Sequence, residues 1–116
     1  MNSQIINANQ RFSVLNFGAG RNEIETEYSC PTCSNVTMLT ADNFSQSLFN
    51  SNSVLASNTV IEIEKIRPIK LNHWEDYFDF ECTECKKSVR VIHSPNEFRM
   101  ACHNFLLKEV IEVNQN

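Results

Sequence analysis

Two cysteine pairs with the same internal spacing, Cys30-Pro31-Thr32-Cys33 and Cys82-Thr83-Glu84-Cys85, constrain this chain more than any other feature. A C-x2-C pair on a tight turn points two sulfurs at one place, and two such turns supply the four soft donors that a tetrahedral zinc ion accepts. The spacing therefore assigns Cys30, Cys33, Cys82 and Cys85 as ligands of one structural zinc, which makes the metal part of the fold. Other uses of such pairs fit less well. A redox dithiol of the thioredoxin kind sits where a strand feeds a helix, whereas both pairs here lie between strand-like segments. Disulfides need an oxidising compartment. Met1 to Asn7 shows no basic region, apolar core or cleavage site of a secretion signal, so a cytoplasmic location is expected. No stretch approaches the length of a membrane span.

The flanks repeat as well. Glu27-Tyr28-Ser29-Cys30 aligns with Asp79-Phe80-Glu81-Cys82, an acid and an aromatic ahead of each thiol pair, as though one hairpin unit were used twice. Both approach strands alternate. Ile24, Thr26, Tyr28 and Cys30 oppose Glu23, Glu25, Glu27 and Ser29, and Phe78, Phe80 and Cys82 oppose Tyr77, Asp79 and Glu81. Each pair leaves on a β-branched return, Val36 to Leu39 and Ser88 to Ile92, so the two knuckles are expected to face each other.

On these residues the chain resembles the zinc ribbons, in which two knuckles on β-hairpins clamp a structural zinc. The resemblance covers about half the chain and implies the same four cysteine ligands and a small β-rich domain that binds something. Ribbons commonly separate their knuckles by about 15–20 residues, and the stretch from Ser34 to Glu81 is far longer. An insertion over residues 40–76 fills the gap. With 116 residues, 41% of them hydrophobic, the chain is expected to form a single domain, 1–116, of β-rich α+β class.

Elsewhere the pattern is mixed. Residues 1–10 are polar and read as frayed, while Phe12 to Phe17 and the Ile24 to Cys30 strand read as a hairpin around Gly18-Ala19-Gly20. In the insertion, Thr40 or Asp42 caps a short helix carrying Phe44, Leu48 and Phe49, and Val60 to Ile66 reads as a strand stopped by Arg67-Pro68. At the C-terminal side, Ser94-Pro95-Asn96-Glu97 matches a capping box, so a short helix is expected there, followed by a closing strand from Phe105. A single continuous helix is the alternative.

Charge narrows the partners. The formal net charge is -4, and four thiolates with one divalent ion take it to about -6. Acids gather in rows: Glu23, Glu25 and Glu27 on one strand, Asp76, Asp79, Glu81 and Glu84 around the second knuckle, Glu62 and Glu64 in the insertion. Such rows oppose the phosphate neutralisation on which nonspecific nucleic-acid binding rests. They suit a basic protein partner, with Trp74 adding contact area beside Asp76, Asp79 and Glu81. Size and acidity resemble bacterial immunity and antitoxin proteins, a likeness that implies neutralisation of a basic toxin by direct binding. The competing reading is a nucleic-acid or transcription-associated ribbon using Lys86, Lys87 and Arg90, although no aromatic residue is interleaved for base stacking.

Catalysis finds little support in the residues. His73-Trp74-Glu75 with the second pair resembles a zinc-deaminase signature, but Glu81 stands where that signature has proline, and Cys30 and Cys33 would be left idle. Four cysteines fill the coordination sphere that a catalytic zinc keeps open. The only glycines, Gly18 and Gly20, cannot build a phosphate-cradling loop. Cys102, beside His103, reads as a buried thiol, and His93 as a strand-end histidine.

Overall fold

The computed structural model describes residues 2–18, 24–47, 53–70, 75–99 and 102–114. Over the described residues the chain is β-rich, with two α-helices and a short 3-10 helix (Ala8–Gln10), and its strands form two sheets. The larger is antiparallel and contains β1 (Asn2–Asn7), β2 (Asn16–Gly18), β5 (Asp76–Glu81), β6 (Ser88–Arg99) and β7 (Cys102–Asn114) in the order β1-β7-β6-β5, with β2 also on β7. The smaller is the hairpin of β3 (Ile24–Ser29) and β4 (Val36–Thr40).

These layers follow from which side chains alternate inward. On one face of the large sheet, Val89, Val91, Phe105, Leu107 and Val110 meet Tyr28 and Leu39 of the small sheet and Phe44 of α1 (Ala41–Ser47). On the other face, Ile92, Ile111 and Val113 meet Ile63 of α2 (Ser57–Ile66) and Leu55. A register shift against β6 leaves Lys108 unpaired in β7, since Ile92 opposes Glu109 while His93 opposes Leu107. That bulge lets Phe105, Leu107, Val110 and Glu112 share one face although their numbers change parity.

The structure corrects several sequence expectations. Val60 to Ile66 is helical, because Thr59, Ile63 and Arg67, spaced by four, form the buried stripe that covers the large sheet. Ser94 to Glu97 does not start a helix, for β6 runs through it in register with β7, Pro95 opposite Phe105. Proline is tolerated there because β5 pairs with β6 only as far as His93, so no donor is needed on the free side. Residues 2–7 are not frayed but form an edge strand on β7. The expected hairpin between Phe12–Phe17 and β3 reduces to a Phe12–Tyr28 bridge, because β2 turns away to β7. The cap on α1 is borne by Asn43, whose Oδ1 accepts from the Thr40 backbone N–H at 2.7 Å, the reverse half of a capping box. Leu48 and Phe49 lie outside the described residues.

His93, expected at a strand end, is wholly buried against the edges of Phe44 and Phe105, and neither ring nitrogen has a hydrogen-bond partner. Burial pulls its pKa down from 6.5 to about 4. Because the folded value lies below the unfolded one, the unfolded chain takes the proton first and stability falls with pH between these values. At saturating metal, we expect a loss of roughly 3 kcal/mol between pH 6.5 and 4 that a His93→Leu variant does not show, read by urea unfolding. Equal pH slopes for both proteins would remove His93 as the cause.

Candidate metal centre

Each cysteine pair sits in the turn of a hairpin, the first joining β3 to β4 and the second joining β5 to β6. The two turns repeat each other bond for bond. Cys30 N–H donates to the Asn35 carbonyl at 2.9 Å and Ser34 N–H to the Cys30 carbonyl at 3.0 Å. Cys82 N–H donates to the Lys87 carbonyl at 2.9 Å and Lys86 N–H to the Cys82 carbonyl at 3.0 Å. Backbone N–H groups also reach the outer sulfurs, Asn35 at Cys33 and Lys87 at Cys85, although at Cys85 burial outweighs the Lys87 bond and raises the thiol pKa. The unit seen twice in the sequence is a real repeat of backbone geometry.

The repeat includes a strained position. Ser34 and Lys86, each four residues after the first cysteine of its pair, adopt φ of 64° and 63°. A side chain with Cβ costs about 1–2 kcal/mol in this left-handed region, and glycine carries none of that cost. Ser34→Gly and Lys86→Gly are each expected to raise stability by roughly 0.5–1 kcal/mol after the entropy glycine adds to the unfolded chain. Thermal melts at fixed metal check this, and a lowered Tm in both variants would count against it.

The hairpins bring all four sulfurs within 4.8 Å of one another. Cys30 Sγ lies 3.7 Å from Cys85 Sγ, and Cys33 Sγ lies 3.5 Å from Cys82 Sγ, so both contacts pass between knuckles. A disulfide closes to about 2.0 Å, and the four are free thiols. Asn35 Nδ2 donates across the gap to Thr83 Oγ1 at 2.9 Å. Cys30 and Cys82 are buried, Cys85 is half-buried and Cys33 is exposed. Burial opposes ionisation of Cys82, but the Cys85 and Glu84 backbone N–H groups outweigh it and bring the thiol down to about 6. At Cys33 the Asn35 N–H favours the thiolate, while desolvation and the neighbouring sulfurs push the pKa up to about 12. One negative charge among four close sulfurs thus discourages the next, and a metal ion is what relieves that repulsion. Of the sequence-assigned residues, these four are the set that the fold brings together.

The other expected contact residues are dispersed. Glu27 and Glu81 are exposed, while Glu25 and Asp76 are half-buried, and burial raises the Asp76 carboxyl pKa. Glu23 and Trp74 lie outside the described residues. Asp79, expected on the acidic surface, is instead buried, because its carboxylate accepts from Arg90 Nε at 2.7 Å and Nη2 at 2.9 Å. Arg90, expected as a nucleic-acid contact, is wholly enclosed, with its guanidinium 3.9 Å from the centre of the Tyr77 ring and Glu64 3.7 Å away. Lys87 is also buried at 7% exposure, which leaves Lys86 as the exposed cation of that trio.

Two further buried charge clusters escaped the sequence reading. Glu75 accepts from Arg67 Nη2 at 2.7 Å and Lys108 Nζ at 2.9 Å, and its pKa is held down to about 2, chiefly by the Arg67 bond. Glu112 takes Arg11 Nε at 2.8 Å and the Tyr28 hydroxyl, tying the small sheet to β7. The alternation of β7 placed Glu112 between apolar neighbours, yet it gave no means of naming partners about a hundred residues away.

No protein-family model matches this chain, and comparison with curated proteins and with solved structures finds no match in either.

Proposed function

We propose that the four sulfurs hold one structural zinc ion and that the domain they close is a non-catalytic binding module for a basic protein. The sulfur spacing carries the first half. A tetrahedron with Zn–S bonds of about 2.3 Å has edges of about 3.8 Å. The sulfur contacts of 3.5 and 3.7 Å lie close to that value. Four thiolates fill the sphere and leave no place for a substrate or an activated water. In this reading the centre is of zinc-ribbon type, with the unusual feature that its hairpins belong to different sheets. Elemental analysis of the purified protein tests it, with one zinc per chain expected. Tetrahedral sulfur also suits iron, and iron found in its place would change the ion but not the staple.

The outer face of the small sheet supports the second half. Glu27 opposes Met38 across the hairpin, and Ile24, Val36 and Met38 are 56%, 42% and 59% exposed. Apolar side chains beside carboxylates suit a partner that offers both basic and apolar groups. With net charge -4 and a small size, the protein fits the pattern of a bacterial cytoplasmic immunity or antitoxin protein that covers a basic toxin. The nucleic-acid reading loses ground with the burial of Arg90 and Lys87.

Native mass spectrometry of tagged protein purified from its own host is expected to reveal a stoichiometric basic protein. Paired substitution Glu27→Lys and Met38→Asp should weaken that complex by about thirtyfold or more, equivalent to about 2 kcal/mol, with zinc content unchanged. Salt-sensitive binding to generic DNA or RNA, with no protein partner, would overturn the proposal.

A further inference from the structure

We propose that the four-cysteine centre is also a site of oxidation by peroxide, attacked first at Cys33 and closing into two disulfides between the knuckles, Cys33–Cys82 and Cys30–Cys85. The release of an ion in this scheme rests on the zinc reading above, whereas the pairing rests on sulfur positions alone. Three features of the fold carry it.

Access comes first. Among the four, Cys33 is exposed, Cys85 half-buried, and Cys30 and Cys82 buried, so a small oxidant from solvent meets Cys33 before the others. Reach follows. Cys82 Sγ lies 3.5 Å from Cys33 Sγ, so a disulfide needs the pair to close by about 1.5 Å. Cys30 and Cys85, at 3.7 Å, need little more. Retention is the third. Both turns are pinned by their own backbone hydrogen bonds, and bonds between them close loops of about fifty residues, which restrain the unfolded chain far more than a C-x2-C ring would. Oxidation would therefore discharge the ion while the same two turns stay fastened, in contrast to chelation, which leaves nothing between them.

The chemistry balances without another reagent. In the zinc-loaded chain, where binding would already have displaced the thiol protons, the Cys33 thiolate attacks one oxygen of hydrogen peroxide, the O–O bond breaks, hydroxide leaves, and a sulfenic acid forms. The Cys82 thiolate attacks that sulfur, the S–O bond breaks, and a second hydroxide leaves as the disulfide forms. Two sulfurs have given up two electrons, and both peroxide oxygens end as water after taking protons from solvent. A second peroxide does the same at Cys85 and Cys30. The zinc ion is neither oxidised nor reduced and departs as its ligands are consumed.

The test uses the zinc-loaded full chain with Cys102→Ser, which leaves four thiols. Titration with hydrogen peroxide, with a chromogenic chelator reporting zinc, should release the full equivalent at about two peroxides per chain. Tandem mass spectrometry of the unreduced digest should place the bonds at Cys33–Cys82 and Cys30–Cys85, the first predominating at about half an equivalent. Circular dichroism should stay that of the folded protein, and dithiothreitol with zinc should restore the starting state. Bonds within each pair would overturn the proposal. So would thiols and zinc that survive a tenfold excess of peroxide, or sulfinic and sulfonic acids formed without linkage. If the protein proves metal-free as purified, the zinc reading fails, and the same bond map on the metal-free chain still decides the pairing.

Discussion

Replacing Cys30 or Cys85 by serine should abolish metal retention and the folded state together. A closed zinc site contributes about 10–16 kcal/mol in small zinc peptides, whereas a whole domain is stable by about 5–15 kcal/mol. Here the dependence is sharpened by topology, because among the described residues β3 and β4 share no strand pairing with the five-stranded sheet. The layers are held by side-chain packing around Tyr28 and Phe44, the Glu112 contacts, the Asn35–Thr83 hydrogen bond and the four sulfurs. Serine at Cys30 also leaves a hydroxyl in a site only 3% exposed. The measurements are metal per chain and cooperative melting, each for both variants and for wild type under excess chelator. Two single variants that keep their ion and a native melt would end the ligand assignment.

Asp79→Ala should be nearly as damaging as a core truncation, costing about 3–5 kcal/mol, because it strands a buried guanidinium. Arg90 is wholly enclosed and, among the described residues, would retain Glu64 at 3.7 Å and the Tyr77 ring. Ser53, whose hydroxyl donates to the same carboxylate, would lose its acceptor as well. The double variant Asp79→Leu with Arg90→Met should recover most of the loss, since replacing a buried pair by apolar groups is often neutral. Urea unfolding of wild type, Asp79→Leu, Arg90→Met and the double variant gives the coupling directly. A loss below about 1 kcal/mol for Asp79→Ala would mean that the pair behaves as an exposed salt bridge.

The four-cysteine cluster was legible because its signal is local. Each C-x2-C turn is fixed by bonds within six residues, and the burial of Thr26, Tyr28 and Cys30 follows the alternation seen in the sequence. Ile24 departs from it, exposed at 56%, because a bulge between Ile24 and Thr26 shifts the register. Elements whose state is set by distant neighbours were misread. Val60 to Ile66 alternates as well as any strand, and only the need to cover Ile92, Ile111 and Val113 selects the Thr59, Ile63, Arg67 stripe instead. The Ser94-Pro95-Asn96-Glu97 box is a sound helix start overridden by thirteen residues of β7 waiting to be paired. Asp79 and Arg90 look like surface charges one at a time; opposite each other on adjacent strands they satisfy one another and go inside. That pairing is a property of register, which no single-strand pattern reveals.

The placement of β1 has a consequence for synthesis. Its partner is β7, with Asn2 opposite Asn114 and Asn7 opposite Glu109. On the ribosome, residues 2–7 emerge well before β7 and have no full ladder to join until residue 114 has cleared the exit tunnel. The first knuckle likewise offers two sulfurs alone until Cys85 appears. Until β7 is available β1 is a strand without a ladder, and until Cys85 is available the first knuckle offers half of a four-sulfur site, so both closures wait on residues far along the chain.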